Sequence, residues 1–413
     1  MKVVIVAEYY PRRADPTLGI WAHHQARAAR DAGADVRVIV LHRPLPPLAA
    51  VRGRRSESAR GTLDATRGAL ADARGALADA RTAVSQPSTA TVDGISVDYL
   101  RYLSPPRGRS YASWGAWAAP VLGRALRRLR SEFPFDLVHA HYAVPAGDAV
   151  RRAAPGVPLV VSVHGGDVLG PHSRSPAVSA TFAHARLVLA NSAGTARRCR
   201  DRGARDVRVV HLGTDPPASP APEPARPTLV TVGNLIARKR VADVIRAVAL
   251  LAGTSPQLRL LIVGDGPERG ALEALASSLG VGDRVAFLGR LAPPAAVAAA
   301  RDASLFVLPS VDEAFGVAYV EAMAAGVPAI GCRGEDGPRE ITAAGGGIEL
   351  VAPRDPAALA SAIDALLSDR ALLDRMRADA RETVLRSFTW ERCGHATVRA
   401  YEEVLLGEEV LRG

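Results

Sequence analysis

Cysteine is nearly absent from this 413-residue chain: Cys199, Cys332 and Cys393 are three, an odd and scattered set. Such a set supports neither a disulfide framework nor a zinc site, and it fits a reducing cytosol. Long apolar runs are missing too. No stretch approaches the roughly 20 residues of a membrane-spanning helix. The opening MKVVIVAEYYP has too short an apolar core for a secretion signal and reads as a first, buried strand. No Asp-x-Asp motif occupies a strand-end loop, so no seat for a divalent ion is expected. Negative charge is scarce in the first half. Residues 1–220 carry 31 Lys+Arg against 17 Asp+Glu, the remainder 21 against 25, and the whole chain is +10. That imbalance implies different partners for the two halves. Nearly all the basic residues are Arg, so biased codon usage is an equal explanation.

Against these absences stand 48% hydrophobic and 23% charged residues, the composition of a soluble globular protein. The length exceeds one ordinary core, so two domains are expected. Short apolar runs alternate with Ala/Leu-rich helical stretches. The runs are KVVIVA, DVRVIVL, DLVHAH, PLVVSVHG and ARLVLANS, then TLVTVGN, RLLIVGDG, RVAFLG, LFVLPS and VPAIGC. Continuous apolar runs of this length mark parallel strands buried on both faces, and the alternation predicts doubly wound α/β domains. The expected division is an N-terminal Rossmann-like domain over 1–213, a Pro-rich linker and hinge over 214–227 (TDPPASPAPEPARP), a second domain over 228–385, and a C-terminal helix over 386–413 returning to the first domain. An insertion at about 52–86 holds a seven-residue repeat, with Arg60, Arg67, Arg74 and Arg81 in step with Leu63, Leu70 and Leu77. It reads either as a coiled-coil partner site or as a tandem-expanded surface excursion.

The stretch EAFGVAYVEAMAAGVPAIG, Glu313 to Gly331, places two carboxylates eight residues apart in what otherwise looks like core. A carboxylate is rarely buried unless paired or bound to something. Read as strand, loop, helix and strand, the segment sets Glu313 in the crevice at a strand's carboxyl end and Glu321 about a turn into a helix opened by Val317. Phe315 and Gly316 then offer backbone N–H groups at the helix start, an anion site. Carboxylates for hydroxyl groups and amides for a phosphate describe a sugar nucleotide. The turn IVGDGPERG, with Gly264 and Gly266, would alone point to a dinucleotide. That reading requires an acid at the end of the next strand, and Asp283 precedes the strand instead.

Glu313, Glu321 and the following AMAAGVPAIG resemble the donor signature of the family 4 glycosyltransferases, retaining enzymes of GT-B architecture, and the resemblance covers nearly the whole chain. It implies two Rossmann-like domains facing across a cleft, a first glutamate on the transferred sugar and a second on the ribose. VGNLIARKR resembles the turn that binds the donor pyrophosphate. Lys239 matches its lysine, Asn234 stands where an arginine is usual, and Arg238 is the candidate replacement. Such cations would stabilise the charge developing on a nucleoside diphosphate leaving group. Gly264 and Gly266 would lie near the nucleotide, and Leu288 in FLGRL against the base. Gly19 ends the loop YYPRRADPTLG, where the family often has two adjacent glycines. His164, in SVHGGD with Asp167, matches a histidine beside the reacting sugar. His139 and His141 in VHAHYAVPAG either line the acceptor cleft or pack, and Ser192 in LANS is a further cleft candidate.

The resemblance implies a hexose moved with retention from a UDP- or GDP-type sugar to a glycan or lipid-linked acceptor, with no cofactor and no metal. The route would be front-face attack, the donor phosphate taking the acceptor's proton. Nucleic acid is not an expected partner. A sugar-nucleotide epimerase of the same architecture and a non-catalytic or NAD-binding protein are the rival readings. APVLGRALRRLRSEF, Ala119 to Phe133, sets Leu122, Leu126 and Leu129 beside Arg124, Arg127, Arg128 and Arg130. Either the leucines enter an anionic bilayer, making the enzyme peripheral on the inner face of the plasma membrane, or they face the sheet and only the arginines meet solvent.

Overall fold

The computed structural model describes residues 1–43, 86–105 and 111–412, with side chains as far as residue 407. The repeat Arg60 to Arg81 lies outside them. The chain forms two α/β units. The first comprises Met1–Ala190, Ala196–Val210 and Gly394–Gly413. Its strands are β1 (Lys2–Ala7), β2 (Asp35–His42), β3 (Thr89–Val92), β4 (Ile95–Arg101), β5 (Leu137–His141), β6 (Leu159–Val163), β7 (Leu187–Ala190) and β8 (Val207–Val209). They form one sheet in the order β3-β4-β2-β1-β5-β6-β7-β8, parallel except for β3 against β4. β1 is central, with Val3 opposite Val36 on one side and Leu137 on the other. Val3, Val4, Ile5 and Val6 are all fully buried, which is why this strand is apolar without alternation.

Sequence reading missed β3 and β4, although Asp93 and Gly94 both take positive φ (47° and 78°) between them, the two-residue hairpin turn that an Asp-Gly pair favours. The helix Trp114–Glu132 resolves the amphipathic segment. Leu122, Leu126 and Leu129 are buried in the same apolar cluster as Val138, Val150 and Leu159, while Arg124, Arg127, Arg128 and Arg130 are exposed. The bilayer reading of these leucines is thereby corrected: the sheet face already covers them. From the chain's far end, the helix Trp390–Arg412 brings Thr397 to Gln25 (3.0 Å) and Tyr401 to His139 (2.7 Å).

The second unit comprises Asn191–Thr195 and His211–Cys393. Its strands are β9 (Thr228–Val232), β10 (Arg259–Val263), β11 (Val285–Gly289), β12 (Leu305–Val307), β13 (Ala329–Cys332) and β14 (Ile348–Val351), all parallel, in the order β11-β10-β9-β12-β13-β14. Helix starts follow local chemistry: Asp355 and Asp369 accept the amides of Ala358 and Leu372 (both 2.9 Å), and Pro356 stands in the first turn after its cap. In both sheets the first strand lies between strands leading in opposite directions, β1 between β2 and β5 and β9 between β10 and β12. These are topological switch points, where open α/β sheets bind ligands beyond the strands' carboxyl ends.

The Pro-rich stretch 214–227 is not a free linker. Arg381 donates to the carbonyls of Pro217 (2.8 Å) and Ala218 (3.3 Å), Arg377 donates to that of Ala221 (2.7 Å), and the Ala221 amide bonds to Ala325. Proline removes donors but leaves carbonyl acceptors, and the guanidinium groups of the helix Arg370–Ser387 satisfy them. The stretch therefore runs pinned along the second unit.

Candidate active site

In the second unit the carboxyl ends of β9 and β12 are joined directly. The Val311 amide donates to the Arg238 carbonyl at 2.8 Å, and Arg238 Nη1 returns a bond to the Asp312 carbonyl at 3.2 Å. Asp312 takes φ 54°, and the chain turns inward at the next residue. Glu313, expected at the tip of a loop, is instead 7% exposed. Its Oε2 accepts from Lys239 Nζ at 2.5 Å and from Ser310 Oγ at 2.9 Å, with Arg238 Nη1 at 3.8 Å. Its amide donates to Glu335 Oε2 at 2.7 Å. Burial works to raise the Glu313 carboxyl, but Lys239, Arg238 and the Ser310 hydroxyl outweigh it and hold the group ionised below the usual range. Both side-chain bonds fall on Oε2, so Oε1 is the oxygen left for a ligand hydroxyl.

Glu321 is the opposite case. It sits half-buried on the helix Val317–Ala324 with no hydrogen bond or ion pair among the described residues. Burial pushes its carboxyl up to about 6. A carboxylate left so is poised for hydroxyl donors that a ligand would bring. The amides of Gly316 and Val317 open that helix, where N–H groups have no intrahelical acceptor. The ring of Phe315 is core, stacked on His211 at 5.4 Å, so only its backbone can serve a ligand.

The glycine turn after β10 lies on the turn after β9. A Cβ on Gly264, which has φ +136°, would fall 1.9 Å from the Gly233 carbonyl oxygen. A Cβ on Gly266 would fall 2.4 Å from that of Leu235. The Leu235 amide bonds to the Asp265 carbonyl at 3.0 Å, tying the turns together beside exposed Asn234. Leu288 is exposed on β11, at the sheet edge next to β10.

In the first unit the ends of β5 and β6 gather three histidines. His141 Nδ1 lies 3.0 Å from His164 Nε2, and Trp21 and Tyr142 flank the His164 ring. Asp167 braces this corner, its two oxygens accepting the amides of Ala143 (2.9 Å) and His164 (3.1 Å). It is a buried support and does not line a cleft. His139 is likewise turned inward, its ring nitrogens engaged by Ser162 Oγ (2.8 Å) and Tyr401 Oη (2.7 Å). Burial lowers His164 and His139 to about 3. Ser192 belongs to the second unit, where its hydroxyl bonds the Thr195 amide at 3.0 Å at the start of the helix Ala193–Arg200. Gly19 precedes the helix Ile20–Asp31, stacked on the backbone of Tyr9 and Tyr10. Sequence reasoning missed Ser310, Glu335, Gln25 and Tyr401. Only Ser310 had a local signal, as the hydroxyl that ends a strand. Among the described residues no three His, Cys, Asp or Glu side chains gather as a metal site, and no helix is long and apolar enough to cross a membrane.

Residues 18–217 match the family model Glycosyltransferase Family 4, and residues 217–383 match Glycosyl transferases group 1. Among curated relatives, the 2-deoxystreptamine glucosyltransferase of Streptomyces kanamyceticus is 29% identical over 70% of this chain and 83% of its own. The D-inositol 3-phosphate glycosyltransferase of Nocardia farcinica is 30% identical over 69% and 71%. Among solved structures, sucrose-phosphate synthase from Thermosynechococcus elongatus superposes with a TM-score of 0.73 at 20% identity, covering 98% of this chain and all of that one. Anabaena HepE, solved with UDP and glucose, gives 0.68 at 19%, with the same coverage. Two parallel-sheet units, glutamates at the strand-end crevice and matches along both halves lead to one assignment: the chain belongs to the family 4 glycosyltransferases and has the GT-B fold.

Proposed function

We propose that the chain moves a hexose, with retention of configuration, from a UDP- or GDP-type sugar to a glycan or lipid-linked acceptor. The observation that carries this reading is the contrast at the switch point of the second unit. Glu313 is ionised and clamped by Lys239, and Glu321 has no partner among the described residues. In this reading Glu313 Oε1 accepts a hydroxyl of the transferred sugar and Glu321 accepts the ribose hydroxyls. Lys239, Arg238 and the amides of Gly316 and Val317 face the diphosphate, while Gly264, Gly266, Asn234 and Leu288 border the nucleotide. Positive charge and helix-start amides stabilise the departing diphosphate, the requirement that a metal meets elsewhere. His164 is read as a contact of the reacting sugar, and the first unit as the one that takes the acceptor. The name of the Streptomyces relative, a glucosyltransferase, supports a hexose donor.

Incubating the enzyme with a panel of UDP- and GDP-sugars and following diphosphate release identifies the donor, and NMR of the product gives the anomer. A retained anomer and activity that survives excess EDTA are expected. Inversion, or complete loss restored by magnesium, overturns the mechanism. Release of a free epimerised sugar nucleotide establishes the epimerase instead. The exposed Arg124, Arg127, Arg128 and Arg130 support contact with anionic lipid at the inner membrane face. Salt-sensitive binding to anionic vesicles, weakened when Arg127, Arg128 and Arg130 become Glu, is the expected result. Equal binding to neutral vesicles removes that contact.

A further inference from the structure

His141 and His164 share a single hydrogen. Their rings are nearly parallel, 10° apart, with His141 Nδ1 at 3.0 Å from His164 Nε2. His141 is fully buried, and its other nitrogen, Nε2, meets no hydrogen-bonding group among the described residues. His139 packs against His141 but supplies no partner, because both its own nitrogens are engaged. Burial keeps both rings of the pair neutral, so each carries one N–H. Two arrangements satisfy the shared bond. If His164 donates from Nε2, then His141 must hold its hydrogen on Nε2, stranding a buried N–H without an acceptor. If His141 donates from Nδ1, only a lone pair is stranded, and the hydrogen of His164 sits on Nδ1. An orphaned buried N–H is the rarer defect, so the second arrangement is the stable one. His164 Nδ1 makes no hydrogen bond among the described residues and faces outward from the pair.

We infer that His141 is a positioning residue: its buried Nδ1–H fixes His164 as the Nδ1–H tautomer, so that His164 offers the sugar nucleotide a hydrogen-bond donor and not a proton-accepting nitrogen. The inference rests on the reading of His164 as a contact of the donor sugar. It also gives a reason for two histidines where one would touch substrate, since the orientation of an imidazole hydrogen is set by what its other nitrogen bonds.

Two-bond proton–nitrogen correlation spectra of the full chain labelled with 15N-histidine read the tautomer directly, with His164→Gln assigning the signals. The expected spectrum shows Nδ1 of His164 protonated and Nε2 unprotonated. A protonated Nε2 overturns the inference, and this arm needs no variant of His141 to fold. His141→Asn, whose amide N–H takes the place of the Nδ1 donor, should keep both the tautomer and turnover. His141→Phe fills the volume without a donor. It should release His164 into a tautomer mixture and lower kcat by about tenfold, the worth of one correctly aimed hydrogen bond. Unchanged spectra and turnover in His141→Phe also overturn it. If the spectra behave as expected but His164→Ala keeps full transfer, the tautomer lock stands and the placing of His164 at the sugar fails.

Discussion

Glu313 and Glu321 are the same residue type in opposite electrostatic states, and each state has its own test. Glu313→Gln keeps the shape of the side chain but removes the charge that Lys239 pairs with at 2.5 Å. We expect kcat to fall by about 10²–10³-fold, the range for losing one preorganised polar group, with the circular dichroism spectrum unchanged. Near-normal turnover would take Glu313 out of the site. For Glu321 the sign runs the other way. Its carboxyl is raised from 4.5 to about 6 by burial, so the folded state binds the proton more tightly than the unfolded chain. The stability this confers is fully present below 4.5 and is lost as pH rises through about 6. Glu321→Gln should therefore stabilise the ligand-free protein by about 1–2 kcal/mol at pH 8, and by little at pH 4, while raising the KM for the donor. Denaturant melts at the two pH values check the first part and donor titration the second. Equal stabilisation at both would show that burial does not strain this carboxylate. The pair was legible in the sequence because its spacing placed charge inside an apolar run. Ser310 and Glu335 were less so. Glu335 reaches the Glu313 amide from 22 residues away, and no local pattern announces a contact made by tertiary folding. His139 and His141 were found as types, but which way each ring faces depends on residues distant in sequence, Tyr401 and Ser162 for His139 and His164 for His141.

At the scale of elements, all ten apolar runs read as strands are strands, because burial on both faces leaves a period-free signature that short length distinguishes from a helix. The four strands that were missed are β3, β4, β8 and β14, at or next to the sheet edges, where polar residues intrude and the signature fades. The Pro-rich stretch was misread for another reason: composition reports the missing donors of proline but not the arginines that bond its carbonyls. Two elements carry predictions. Gly316 caps the helix Val317–Ala324 with φ +84°, and a Cβ there would fall 2.5 Å from the Tyr319 ring. Gly316→Ala should cost about 1–2 kcal/mol of stability from the left-handed backbone alone, and more donor affinity than stability, because the helix start must move. Unaltered donor binding would free these amides from any role. On the helix Trp114–Glu132, Leu126→Ala should destabilise the fold by about 2–5 kcal/mol. Arg127→Ala, on the exposed face, should fall within about 0.5 kcal/mol of wild type. Chemical denaturation separates the two, and a reversed order would put the leucine face outside the core.

The whole molecule is assembled from segments far apart in the chain, and this was the level least visible beforehand. Repeated strand and helix alternation gave two α/β bodies, but the partition at Asn191–Thr195 and at Cys393 depends on packing that sequence patterns do not encode. Ending the chain at Cys393 would remove Thr397 from Gln25 and Tyr401 from His139, leaving a buried imidazole nitrogen without its partner. Such a truncation should raise hydrogen exchange in β5 and β6 by about tenfold or more, with β9 and β12 unaffected. Uniform protection in both units would show that the last helix is dispensable. The same arrangement has a consequence during synthesis. The first unit needs Gly394–Gly413, which leave the ribosome only after the second unit has been made. At roughly 5–20 residues per second, the nascent first unit waits about 10 to 40 s with the Gln25 and His139 side of its sheet uncovered. In that interval a chaperone has the most to protect. A circular permutant in which the last helix is translated first should shorten the wait and raise soluble yield at high expression rates.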